Sequence, residues 1–586
     1  MRMLQELSWK VGGQQGEGID STGKTFATAL NRMGYYIYSY RHFSSRIKGG
    51  HTNDRVRIST DRKNSIADEL DILLAFDQET INLNAHELKA GGVIVADSKF
   101  SPTLPTNVAA NVQLFNIPFT KIAEETGAAI MKNMVALGAS AYVIGLSPDF
   151  CAPVIQKLFG RKSQKIVDQN MAAVHAGYDA MASQNTDFSG FQLAPATPGE
   201  HLFMIGNEAV AFGALAAGAR VMPAYPITPA SDVMEYLIKK LPSVGGVVVQ
   251  TEDEIAALNM TIGAAYGGAR ALTATSGPGL ALMMEALGLA GMTETPVVII
   301  DTQRGGPSTG LPTKHEQSDM FAALFGNHGE IPKIVLTPST PEECFYMTVD
   351  AFNYAEKYQC PVIILTDLAL SLASQSVEKF DFSYVMIDRG NLATAEELAK
   401  VEPGKLFKRY ELTPDGISPR VFPGQKGGIH HVTGVEHSEV GRPNELTSNH
   451  VAMMNKRLNK ISGIEMPGSV AYTGDDTPDI LIIGTGSSVG AIGEAVARLN
   501  RDGVKVAHAQ IKALSPFPFN TMQAHMSRAK RVIVAEANAT GQLFHLILMN
   551  GLHHEAISSF LKYDGTPFMP KEVEAHLRGA VSAWQH

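Results

Sequence analysis

Short apolar runs alternating with stretches of helical periodicity divide the chain into three patterned regions and one without pattern. In residues 1–180, apolar runs at 7–11, 35–40, 54–59, 71–76 and 92–97 predict strands. Apolar positions at helical spacing predict helices at about 20–33, 78–90 and 119–137. Such alternation predicts an α/β domain with a mostly parallel sheet. Residues 181–200, rich in Ser, Pro, Gly and Asn, read as a linker. From 201 to 375 the alternation resumes, with strands expected at 219–224, 246–250, 271–275, 296–301 and 361–366 and a helix at 230–241. Residues 376–475 lose it. The segment 414–443 is crowded with Gly, Pro and His and reads as a long irregular connector, a kind of segment that is usually functional or interfacial. Residues 476–586 alternate again, with strands at 479–483, 504–510 and 531–535 and a helix near 487–501. The fold class expected is multidomain α/β.

Composition narrows the function more than the fold. A chain of 586 residues needs three or four cores. A net charge of −9 gives no support for nucleic-acid or membrane-surface binding. Apolar runs such as 296–300 and 478–483 fall far short of the roughly 20 residues that span a bilayer. The first ten residues lack the apolar core of a signal peptide, so the expected location is the cytoplasm. The three cysteines, Cys151, Cys344 and Cys360, form no C-x-x-C pair and are too few to ligate an iron–sulfur cubane. They read as buried small side chains in a reducing compartment.

Candidate chemistry gathers after the strands of the second region. Polar and Gly-rich segments follow them in turn: 225-YPITPAS-231, 251-TEDEIAA-257, 276-SGPG-279 and 302-TQRGGPSTG-310. In open α/β sheets this carboxyl edge is where ligands bind. Thr228 before Pro229 reads as a helix cap whose amides suit a carboxylate. Glu252, Asp253 and Glu254 head an Ala/Gly-rich helix. They read either as acids balancing the helix dipole or as a carboxylate held where burial perturbs it. Arg304 suits bidentate carboxylate binding or a surface ion pair, and Lys314 is a similar candidate.

Together, YPITP, the E-x-x-A helix with G-A-A-x-x-G, TSGPG and RGGPSTGLPT resemble the thiamine-pyrimidine-binding domain of 2-oxoacid:ferredoxin oxidoreductases. The resemblance is closest to the fused gamma–alpha subunit of the 2-oxoglutarate-type enzymes. It covers essentially the whole chain: a gamma-type domain, the pyrimidine-binding domain, the connector and a transketolase C-terminal-like domain. It implies that Glu254, with Glu252 as the competing assignment, contacts N1′ of thiamine diphosphate and favours the tautomer that activates C2. It implies that Tyr225, Pro226, Ile227 and Gly277 lie against the cofactor. Thr228, Arg304, Thr309 and Lys314 are the implied substrate contacts, with Pro307 and Ser308 shaping the pocket. The implied reaction is coenzyme A-dependent oxidative decarboxylation of 2-oxoglutarate, or of pyruvate or a branched 2-oxoacid, with ferredoxin as electron acceptor. The chain has no G-D-G-x…N signature; Gly474-Asp475-Asp476 approaches it and breaks it. The resemblance therefore implies a beta subunit carrying the diphosphate–Mg2+ site and a [4Fe-4S] cluster, in an (alpha-beta)2 heterotetramer, with no metal on this chain.

Other motifs give competing readings. Gly18 to Thr25 is formally G-x-x-x-x-G-K-T, so a P-loop ATPase is an alternative class. However, the strand is expected to end near Val11 or Gly12, and Lys24 to fall inside the following helix. The family's gamma-type domain implies coenzyme A contacts at Gly13, Gly16, Arg46 and Lys48, or else a domain interface. The 484-GTGSS-488 turn resembles a nucleotide-binding turn. His430, His431, Glu436 and His437 match no closed zinc spacing and read as structural or interface residues. A scaffold that kept the fold and lost the site is a third class.

Overall fold

A computed structural model describes residues 3–44 and 50–582. The chain forms two units. One holds residues up to Ile205 together with Leu372–Lys379 and Met569–Lys571; the other holds Gly206–Ser371, Phe380–Phe568 and the residues from Glu572. Among the described residues no helix is long and apolar enough to cross a membrane.

The first unit is built on an eight-stranded sheet in the order Gln113–Ile117, Leu88–Asp97, Leu70–Ala75, Glu6–Gln14, His51–Ser59, Tyr36–His42, Ser374–Val377, Leu202–Met204. The first four strands are parallel, and every later pairing is antiparallel. This corrects the expectation of a mostly parallel sheet. Too few residues separate His42 from His51 for a crossover helix, so those strands pair antiparallel. Apolar positions of the helix Ile19–Arg32 pack on this sheet, with Phe26 and Trp9 rings 4.3 Å apart. Residues 181–200 are largely irregular and hydrogen-bonded to the unit: Leu4 N–H donates to the Gln192 carbonyl and the Tyr35 hydroxyl to that of Ala194.

In the second unit, strands Leu272–Thr275, Val297–Gln303, Pro361–Asp367, Ile334–Leu336 and Ala513–Ser515 form one sheet in that order. All pairings but the last are parallel. The parallel pair Val221–Ala224 and Val247–Gln250 extends it through one parallel bridge, Val221 to Ala271. A second sheet runs Val470–Gly474, Val506–Ile511, Ile480–Gly484, Arg531–Glu536, Ile557–Leu561. One apolar core serves both: Val297, Ile299 and Leu287 cluster with Leu481, Ile483 and Val532.

The irregular connector is pinned by buried charge. Glu294 is ion-paired to Lys456 and Lys460, and its carbonyl accepts from Arg409. Glu356 is shared by Arg270, Arg389 and Arg420. Arg270 and Glu294 each lie just before a strand, so these clusters mark the amino edge of the sheet.

Candidate functional site

The strands Val221–Ala224, Val247–Gln250, Leu272–Thr275 and Val297–Gln303 run parallel, so the four loops after them share one edge. In the loop after Gln250 the three acids separate by role. Glu252 is exposed. Asp253 is the N-cap of the helix Glu254–Tyr266, its Oδ1 accepting from Ala256 N–H at 2.7 Å. Glu254 is 6% exposed, and among the described residues no donor is hydrogen-bonded to its carboxylate. The helix is Ala/Gly-rich, and its Ala257, Leu258, Thr261 and Ile262 are buried.

Two glycines of 276-SGPG-279 leave room for acids. A Cβ on Gly279 would lie 2.0 Å from Thr275 Oγ1 and 2.6 Å from Glu254 Oε1. One on Gly277 would lie 2.6 Å from Asp319 Oδ1. A side chain at either position would force the neighbouring acid to move, and bare backbone is what this loop presents to the acids.

Thr228 does not cap a helix. Ser231 N–H and Oγ both donate to the Ile227 carbonyl, closing a turn before the helix, which runs Ser231–Lys240 with Ala230 at its N-cap. The Thr228–Pro229 peptide is cis. The Thr228 side chain is exposed, as are those of Tyr225 and Pro226, while Ile227 is half-buried.

Arg304, 6% exposed, follows the strand Val297–Gln303. Its Nη1 donates to the Thr228 carbonyl at 2.5 Å and its Nη2 reaches the Thr309 carbonyl at 3.5 Å. Nε is buried without a partner. Burial lowers the Arg304 guanidinium from its ordinary value, opposed by Asp319, Asp301 and Glu254. The Thr309 side chain is exposed. Lys314 is half-buried, its stem against Gly565, and burial lowers its ammonium while Asp564 opposes. Its carbonyl closes the loop by accepting from Gly305 N–H at 3.0 Å. The structure thus gathers Glu254, Gly277 and Arg304, with Thr228 and Thr309 bound to Arg304 through their carbonyls.

The sequence reading did not single out Asp301 and Asp319. Asp301 closes an apolar run and is fully buried, with both carboxylate oxygens unpartnered. Asp319 Oδ2 is likewise buried and unpartnered. Burial raises both carboxyls, Asp301 well above its usual range and Asp319 to about 6, with Arg304 opposing.

Elsewhere, Gly13 lies inside the strand Glu6–Gln14, paired with Thr52, rather than in the turn expected of it. Gly16, at φ 97°, does lie in the turn, and Gly18 caps the helix Ile19–Arg32 in a left-handed conformation. Lys24 is therefore helical and exposed, and the apparent phosphate loop is not one. Arg46 and Lys48 lie outside the described residues. In the GTGSS turn, Ser487 N–H donates to Asp367 Oδ2 at 2.8 Å, and Gly486 gives room to Asp367 and Gln317. That turn holds protein side chains together. Glu436 is taken up by Arg457 and His450, while His430 and His437 lie within 3.0 Å of the Gly428 and Val435 carbonyls through Nδ1.

Three family models match successive parts of the chain: pyruvate ferredoxin/flavodoxin oxidoreductase over residues 8–180, the thiamine diphosphate-binding part of pyruvate flavodoxin/ferredoxin oxidoreductase over 212–456, and pyruvate:ferredoxin oxidoreductase core domain II over 478–573. The 2-oxoacid:ferredoxin oxidoreductase subunit alpha of a Sulfolobus species is 35% identical, over 97% of this chain and 96% of that one. The 2-oxoglutarate oxidoreductase subunit KorA of Mycobacterium tuberculosis is 32% identical, over 99% and 92%. Among solved structures, 2-oxoglutarate:ferredoxin oxidoreductase from Magnetococcus marinus, with 2-oxoglutarate, coenzyme A and succinyl-CoA bound, superposes with a TM-score of 0.91. It is 37% identical over 98% of this chain and 99% of that one.

Proposed function

Since the chain belongs to the alpha subunits of the thiamine-diphosphate-dependent 2-oxoacid:ferredoxin oxidoreductases, of the 2-oxoglutarate type, we propose that Glu254 is the acid that engages the cofactor's aminopyrimidine. The observation that carries this is its setting: a buried carboxylate without a protein donor, its Oε1 seated against the Gly279 backbone where an added Cβ would lie only 2.6 Å away. An aromatic ring with a basic nitrogen would satisfy that carboxylate, and Glu252, being exposed, would not meet it in the same way.

The residues around the acid suit the rest of the group and its substrate. Tyr225, Pro226, Ile227 and Gly277 would border the pyrimidine. Thiamine diphosphate, when bound, supplies the nucleophile for a 2-oxoacid ketone and the electron sink for loss of CO2. Glu254 would accept the pyrimidine hydrogen bond and hold the proton distribution that activates the cofactor. Arg304 would take the substrate carboxylate, with Thr228 beside it and Thr309 on the adjoining loop. Lys314 would meet the far carboxylate of a dicarboxylate, which favours 2-oxoglutarate over pyruvate. The first unit would take coenzyme A near Gly13, Gly16, Arg46 and Lys48, and the products would be an acyl-CoA, CO2 and reduced ferredoxin.

Mg2+, the diphosphate site and a [4Fe-4S] cluster would lie on a beta subunit, in an (alpha-beta)2 heterotetramer in the cytoplasm. Three scattered, buried cysteines are the wrong ligand set for a cluster on this chain.

Glu254→Gln in the reconstituted complex should lower 2-oxoglutarate-dependent reduction of a low-potential acceptor by at least about 100-fold. Fluorescence titration with thiamine diphosphate should show the cofactor still binding. Turnover within a few-fold of the parent complex would move the role to another residue.

A further inference from the structure

Arg304 stands among three carboxyl groups, which come from three different elements. Glu254 heads its helix, Asp301 lies in the strand Val297–Gln303, and Asp319 heads the helix Met320–Phe325 without capping it. Thr275 ties the first two together: it pairs with Asp301 in the sheet, and its Oγ1 and Glu254 Oε1 crowd the same point over Gly279. Asp319 is anchored through its backbone N–H, which donates to Gln303 Oε1 at 3.0 Å, and its carboxyl packs on Gly277. The Arg304 hydrogen bonds go to backbone carbonyls instead of to either aspartate. Both Asp301 oxygens and Asp319 Oδ2 are sealed from water with no donor.

A buried carboxylate with no hydrogen-bond donor is expensive, and a second one sealed on one oxygen, beside a third acid, adds to the cost. One guanidinium cannot neutralise three anions. The cheapest resolution is a proton retained on the aspartates. We propose that Asp301 and Asp319 keep Arg304 from being neutralised by retaining protons, Asp301 the more firmly, and so act as a positioning pair that sets how much of the Arg304 charge remains for the substrate carboxylate. This rests on the reading of Arg304 given under Proposed function.

Consider the charge seen by a bound carboxylate. Asp301, with both oxygens sealed, is the member that burial raises further and so the one that gives up its proton later. Asp319 is the member that titrates, held up by burial, with Arg304 lowering it and Glu316 on the adjoining loop raising it. With Asp319 protonated, Arg304 faces only Glu254 as a counter-charge. Once Asp319 ionises, a second anion competes with the substrate for the same guanidinium. Affinity for the 2-oxoacid should then weaken as pH rises through the titration of Asp319.

The test uses the complete complex with its cofactor. Infrared spectroscopy without substrate should show a protonated-carboxyl band that outlasts the titration of Asp319 and is lost in Asp301→Asn. A second band should disappear on raising pH through about 6, and it should be missing from Asp319→Asn. In steady-state assays KM for 2-oxoglutarate should rise about threefold to tenfold across that titration. Asp319→Asn should abolish the slope, and Asp301→Asn, which resembles the protonated acid, should keep it.

A parent complex with no protonated-carboxyl band overturns the retained protons, and this needs no variant to fold. An Asp319→Asn complex that keeps the parental slope overturns the tuning of Arg304. Arg304→Gln with an unchanged KM would instead sink the assignment of Arg304 as a substrate group. The infrared result would then still decide the proton pair by itself.

Discussion

At the scale of single residues, the site depends as much on atoms that are missing as on those present. Gly279 is the clearest case. Its ideal Cβ would fall 2.0 Å from Thr275 Oγ1 and 2.6 Å from Glu254 Oε1, with Glu254 Cγ at 2.7 Å. Since Thr275 sits in a fully buried strand, the flexible acid has to yield. Gly279→Ala is therefore expected to displace Glu254 and lower kcat/KM by about 100-fold, the scale of a misplacement near 1 Å. Thermal unfolding should show a loss of only about 1–3 kcal/mol. A normal kcat/KM in Gly279→Ala would show that Glu254 is not held where the chemistry needs it. Of this scale the sequence shows part. The acid-rich helix head and the glycines are visible, and so is the arginine. Asp301 and Asp319 are hidden, because one closes an apolar run and the other sits in a polar loop. Periodicity reports which positions are apolar; it says nothing of a polar group that is buried without a partner. Thr228 misleads for a related reason: Thr-Pro is a common helix start, yet the turn closed by Ser231 moves the start past it.

At the scale of elements, the second unit separates chemistry from support. Loops at the carboxyl edge carry the site, and the connector fastens to the opposite edge through the Glu294 and Glu356 clusters. Burial by itself would raise the Glu294 carboxyl, but Lys460, Lys456 and Arg409 outweigh it and hold it at about 2. Its folded value lies below the ordinary 4.5. The stabilisation is therefore fully present above about pH 4.5 and lost as pH falls toward 2. Glu294→Gln should leave two lysines buried without their anion, at a cost of about 3–5 kcal/mol at neutral pH. Denaturant unfolding at pH 7 and at pH 3 checks this, the difference between parent and variant shrinking at the lower pH. Variant protein that remains folded should turn over normally, because the cluster is remote from the carboxyl edge. These ion clusters also explain why the connector could be recognised as irregular but not placed. Its order comes from side chains of other segments, whereas the strands of the alternating regions announce themselves by local pattern. Strand direction has the same non-local origin. Nothing in an apolar run tells whether it pairs parallel or antiparallel, and Ser374–Val377 joins the first unit's sheet from far along the chain.

For the whole molecule, the question is where the electrons go. Oxidative decarboxylation of a 2-oxoacid releases two electrons, which ferredoxin takes one at a time, so a redox centre must lie close to the site. The three thiols of this chain are poor candidates to ligate one. All are buried and single, and burial pushes Cys151 and Cys360 to about 12 and Cys344 well above its ordinary value. A cluster needs thiolates, and these positions disfavour them. In the roles proposed for them Glu254 and Arg304 would prepare a cofactor and hold a carboxylate, and neither side chain can carry an electron away. The chain purified alone under anaerobic conditions should therefore be colourless. It should contain no stoichiometric iron or acid-labile sulfide, and should not reduce a low-potential acceptor when given thiamine diphosphate, Mg2+, coenzyme A and 2-oxoglutarate. Addition of the partner subunit should bring visible charge-transfer absorption and turnover together. Iron bound near stoichiometry to the isolated chain would overturn this division of labour, since it would require a ligand set other than three scattered cysteines.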